Sequence, residues 1–81
     1  REKEDYNRAI EIINEGILEN EDEGFLYYNR ACFYVAVNKL ELALEDILKS
    51  IELNDFFEGY MKEDEELNAI RELEKYKKMF G

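Results

Sequence analysis

Apolar residues recur along the chain at spacings of three and four, and they do so in three separate phases. Tyr6, Ile10, Ile13 and Ile17 share one face, with Ile12 beside it; Tyr27, Ala31, Tyr34 and Val35 share a second; Leu40, Ala43, Leu44, Ile47 and Ile51 share a third. This is the period of amphipathic helices. It predicts helices over 5–20, 25–37 and 40–53, with an acidic loop at Asn20–Gly24. The change of face between the second and third runs falls at Asn38, a residue type that tolerates the left-handed conformation ending a helix. The stretch from Tyr27 to Asp55 therefore reads as two antiparallel helices. Lys39 stands where an N-cap residue is expected, so the turn is expected to be soft.

Beyond Asp55 the pattern loosens. Asp55-Phe56-Phe57-Glu58 reads as a capping box opening a short helix through Tyr60 and Met61. Lys62–Glu66 reads as a solvated charged run. Leu67, Ile70, Leu73, Tyr76 and Phe80 support one or two further short helices. Lys75, Lys77 and Lys78 gather near the C-terminus, where cations complement a helix dipole.

The third helix pattern repeats the first. Moving Asp5–Asn20 forward by 34 residues places it on Lys39–Asn54 without a gap. Ala9/Ala43, Glu11/Glu45, Ile13/Ile47, Ile17/Ile51 and Asn20/Asn54 are identical, and Gly16/Ser50 are both small. Agreement on apolar and small positions is what a shared packing face requires.

This period, with Asn29-Arg30-Ala31 before Phe33-Tyr34 and then Leu40–Ile47, resembles the tetratricopeptide repeat. Tyr27 and Tyr34 fall on its aromatic positions, Ala31, Ala43 and Ser50 on its small positions and Ile47 on a bulky one. Asp55 stands where the family usually has Pro. The resemblance implies an all-α antiparallel helix-turn-helix solenoid, a tetratricopeptide-like superhelix with an irregular helical C-terminal cap. On this reading 1–81 is a single domain. Residues 5–20 are the second helix of a partial repeat whose first helix lies outside this sequence, 24–55 are one full repeat, and 56–81 are capping helices, like the C-terminal end module of a bacterial tetratricopeptide protein.

The resemblance further implies protein–protein interaction through a concave face lined by Phe25, Tyr28, Cys32 and Val35, with Asn29 beside them. Asn29 matches one residue of the clamp by which some tetratricopeptide domains hold a chaperone's C-terminal carboxylate. The clamp's cations have no counterpart here, since the matching positions of the next repeat fall near Gly59 and Glu63. With its partner helix outside the sequence, the face of helix 5–20 is expected to be exposed, and then either to drive self-association or to be covered by another chain; the alternative is that helix 25–37 and the folded-back tail cover it.

Charge and composition narrow the functions. With 11 basic and 21 acidic residues the formal net charge is −10. Such a surface repels phosphate backbones and anionic lipid, so neither nucleic acid nor a membrane is expected as a partner. There is no His and one Cys, so no disulfide framework, metal, cofactor or catalytic constellation is expected. Cys32 reads as a small packing residue. The chain is read as cytoplasmic and not an enzyme. Two rivals to the interaction module remain: an acidic inhibitor of the immunity type that neutralises a basic protein, and a purely structural solenoid cap. A decoy would weaken steeply with salt, whereas an apolar groove would not.

Overall fold

The computed structural model describes residues 3–80, with side chains from Asp5 onward. Among the described residues all regular structure is helical: α1 (Lys3–Glu19), α2 (Gly24–Ala36), α3 (Leu40–Leu53), α4 (Phe56–Glu63), a 3-10 turn at Glu65–Leu67, α5 (Asn68–Arg71) and α6 (Glu74–Phe80). The all-α fold, with adjacent helices packed on one another as in a helical repeat, is the one the periodicity predicts.

The α2–α3 pair is the centre of the fold. The two helices meet on Ala31 and Ala43, both fully buried, with Leu44 and Ile47 packed around them. Burying a side chain such as Ile47 contributes about 1.5–3 kcal/mol. Small residues at such a contact let the backbones approach. Gly24, the first residue of α2, shows the same constraint, because a Cβ there would meet Phe57 at 3.0 Å and the Ser50 carbonyl at 3.3 Å. Ser50 itself is fully buried, and its hydroxyl donates to the Ile47 carbonyl at 2.7 Å.

The turn between these helices is tighter than its sequence suggests. Asn38 takes φ 62°, the left-handed region. Its N–H donates to the Val35 carbonyl at 3.0 Å and the Lys39 N–H donates to the Tyr34 carbonyl at 2.8 Å. This pair of bonds is a Schellman motif, which satisfies the last carbonyls of α2. Lys39 indeed offers no side-chain cap to α3. The turn is not soft, because backbone bonds on the α2 side replace what the missing cap would supply.

An ion pair between buried Asp46 and partly exposed Arg30 fastens three helices. Arg30 of α2 donates to both carboxylate oxygens of Asp46 on α3, each at 2.7 Å, and to the Asn14 side chain of α1 at 2.8 Å. Its guanidinium carbon also lies 5.6 Å and 5.7 Å from the ring centroids of Tyr27 and Tyr34. The hydrogen bonds to Asp46 push the Arg30 pKa further up.

The apolar strip expected to be exposed on the first helix is instead largely covered. Ile10 and Ile17 are buried, Tyr6 and Ile13 are partly buried, and Tyr6 meets the Phe33 ring at 6.0 Å. The reason is that α2 packs along α1, with Leu26 set against Gly16. Ile12 and Leu18 are what α1 leaves exposed. The surface on which self-association was expected is thus mostly internal.

The tail, 56–80, folds back on this layer. Met61, Leu67 and Ile70 are fully buried in the same core as Ala31 and Ile47, and Tyr76 closes its edge. The capping box expected at Asp55 does not form. Asn54 caps instead, its side-chain oxygen accepting from the Phe56 N–H at 3.0 Å, while Asp55 makes no side-chain cap bond. The end of α4 is held by Arg71, which donates to the Met61 carbonyl at 2.6 Å and the Asp64 carbonyl at 2.8 Å, and also contacts Asn68.

Candidate functional site

The residues assigned to the concave face lie on one side of α2, and the tail decides what each presents. Phe25 is half exposed and Asn29 is exposed. Tyr28 is buried, while Cys32 and Val35 are half-buried. Four of the five are brought together: Phe25, Tyr28, Asn29 and Cys32 line a hollow of about 250 Å³ whose other wall is Phe57, Tyr60, Asp64 and Glu66. Val35 is set apart, in an adjoining hollow with Tyr6, Asn29, Cys32 and Phe33.

Tyr28 is the hinge of the arrangement. Its ring stacks on Phe57 at 5.3 Å and meets Tyr60 edge-on at 5.5 Å. Its hydroxyl donates to Asp64 at 2.6 Å. Burial first, and the hydrogen bond to Asp64 second, raise the phenol well above its ordinary pKa, so Tyr28 stays a donor. Asp64 is used twice, because its other oxygen accepts the Glu66 N–H at 2.9 Å and starts the 3-10 turn. The run read as solvated therefore contains the residue that fixes the tail to α2.

A third aromatic layer continues outward. Phe56 meets Phe57 at 5.7 Å and Tyr60 at 6.1 Å. The outer rings are open to solvent, with Phe56 at 64%, Tyr60 at 55% and Phe25 at 50% exposure. Ring–ring contacts of this kind are worth about 0.5–1.5 kcal/mol beyond their buried area, so the cluster is pre-arranged. Tyr60 also borders a second hollow with Glu63 and Asp64.

Cys32, Asp64 and Glu66 place one ligand-type atom each within 4.8 Å of one another. Burial first, then the charges of Glu66 and Asp64, push the Cys32 thiol up to about 12. A nucleophile uses the thiolate, and in the free chain this setting keeps the proton on. Arg30, the nearest cation in sequence, is committed to Asp46. The hollow offers ring faces, carboxylates, a protonated thiol and one amide.

Phe57, Tyr60, Asp64 and Glu66 were not singled out from the sequence, because the 34-residue register stops before them. The signal that could have found the two rings is the spacing of Phe56, Phe57 and Tyr60, which puts them on one side of a helix; nothing local marks Asp64 or Glu66.

Protein STIP1 homolog of Dictyostelium discoideum is 35% identical to this chain over 75 residues, 91% of the chain and 13% of that protein. No family model and no solved structure matches. The chain thus spans a small part of this relative. The likeness, together with the helix pair described above, supports a tetratricopeptide-like region. Among the described residues, no helix is long and apolar enough to cross a membrane.

Proposed function

We propose that this chain is a protein-interaction module of the tetratricopeptide type. In this reading 24–55 is its one full repeat and 56–81 is a cap that builds one wall of the binding groove. A partner segment lies along α2, contacting Phe25 and Asn29 and reaching toward Cys32 and Val35, while Tyr28 serves as the wall behind them. The relative's likeness supports a protein-interaction role in general. The observation that carries the specific reading is the half-exposed Phe25 beside a pre-arranged cluster of Phe56, Phe57 and Tyr60. Aromatic anchors set at the edge of a groove dominate the energetics of interfaces. The relative comes from Dictyostelium discoideum, so a bacterial setting is not part of the proposal.

Selection of a displayed peptide library on the 81-residue chain tests it. Peptides should be enriched that bind the native chain and lose about tenfold or more in affinity against Phe25→Ser. No enrichment, or peptides indifferent to Phe25→Ser and to Asn29→Ala, would remove the groove from the account and leave the purely structural cap as the better reading.

A further inference from the structure

We infer that the groove between α2 and the tail accepts a cationic side chain, Lys or Arg, presented by a basic segment of a partner protein. This rests on the interaction-module reading above and adds the chemistry of the partner. The first observation is aromatic. Tyr60 is 55% exposed and Phe56 64% exposed, and each is braced by a neighbouring ring. The face of such a ring carries negative charge density and attracts a cation.

The second observation is the charge beside those rings. Glu63 and Asp64 border Tyr60 in a hollow of about 370 Å³, and Asp64 and Glu66 border it in the hollow shared with Phe25. Among the described residues, no Lys or Arg lines either hollow. The two cations nearest in sequence are occupied elsewhere: Lys62 pairs with Glu58 at 3.4 Å, and Arg71 is spent on the Met61 and Asp64 carbonyls. A carboxylate ligand would meet like charge at every turn, and a second copy of a chain of net charge −10 would be repelled.

The third observation is that the molecule already contains this arrangement internally. Arg30 is held by a carboxylate, Asp46, while its guanidinium lies over the rings of Tyr27 and Tyr34. The groove offers the same pairing of ring face and carboxylate with the cation left for a partner to supply.

The test is an amide-shift titration of the isotope-labelled 81-residue chain in about 150 mM salt, where remote charges are screened beyond roughly 8 Å. Two probes are used, an alanine-based nonapeptide with a central Lys-Arg-Lys and the same peptide with a central Glu-Asp-Glu. The basic peptide should shift the amides of Phe25, Asn29, Tyr60 and Glu66 most. Tyr60→Ala should weaken it about threefold, and Glu66→Gln should weaken it as well. Glu11→Gln, an equal charge change on the exposed face of α1, should leave it unchanged. Shifts spread over the whole acidic surface, with all three variants weakened alike, would overturn the inference in favour of unspecific charge attraction. Groove shifts produced by the acidic peptide would also overturn it, while leaving the interaction-module reading standing. Failure of both peptides at the groove would overturn it too, with the library selection deciding the module reading separately.

Discussion

The α2–α3 pair and the tail bury similar kinds of side chain but are held in different ways. The pair is fixed by a register of small and bulky residues, with Ala31, Ala43 and Ile47 fully buried and a turn closed by backbone bonds. The tail is fixed at points. Tyr28 binds Asp64, Arg71 ties down two carbonyls, and Met61, Leu67 and Ile70 plug the core from short helices. The contrast teaches that one fold can be held in part by a periodic register and in part by isolated contacts between distant residues. A periodic pair is a scaffold that many residues specify together. The tail, specified by a few contacts, supplies the second wall of the hollow beside α2.

The comparison breaks most severely at the ion pair. Asp46→Ala leaves the Arg30 guanidinium without its bidentate partner in a setting only 20% exposed. The expected loss is about 2–4 kcal/mol, toward the lower side of what removing one member of a buried pair costs because Arg30 keeps Asn14 and two ring faces. Chemical denaturation should show this as a lower midpoint for the whole chain. A midpoint that does not move would mean that the pair does not fasten α1, α2 and α3.

Next in size is Ala43→Leu, which forces a larger side chain into the fully buried core between α2 and α3. The cost is about 1–3 kcal/mol, seen as a fall in melting temperature of roughly 4–8 °C per kcal/mol for a domain of this size. An unchanged melting temperature would contradict the register.

Tyr28→Phe sharpens the comparison, since it keeps the ring stacking and removes the hydroxyl that meets Asp64. Losing that bond should cost about 1 kcal/mol, and the loss should be local. Amide exchange should accelerate in 64–71 while the interior of α3 stays protected. Uniform acceleration through both regions would show that the tail and the pair are one cooperative unit. The smallest effect is a gain. Lys39→Ser gives α3 the side-chain cap it lacks and should stabilise the chain by about 0.5–1 kcal/mol, measured by the same denaturation. A loss of stability there would show that the Lys39 side chain does more than occupy the turn.

How much of this was legible in the sequence follows the same division. The helix pair and its turn could be read because the shift of 34 residues aligns Ala9 with Ala43 and Ile13 with Ile47, and because Asn38 breaks the apolar phase. Backbone closure of that turn could not be read, since a Schellman motif uses N–H and C=O groups that every residue type carries. The cover on α1 could be read only as one of two alternatives, because Tyr6, Ile10, Ile13 and Ile17 show which face is apolar but not which neighbour lies on it. Asp64 was read as solvated because it stands among Lys62, Glu63, Glu65 and Glu66 and looks like them in composition. Its role comes from Tyr28, 36 residues earlier, a pairing that no local pattern encodes. Of the groove, Phe25, Tyr28, Asn29 and Cys32 were found through the repeat, whereas Phe57, Tyr60 and Glu66 became visible only when the tail closed.

The central claim is that the tail closes on α2 to form an aromatic groove, and nuclear Overhauser contacts between ring protons test it most directly. The account predicts strong contacts from the Tyr28 ring to both Phe57 and Tyr60 in the free 81-residue chain, whose ring centroids lie 5.3 Å and 5.5 Å away. Absence of both, while the contacts of Ala31 within the α2–α3 core persist, would contradict it.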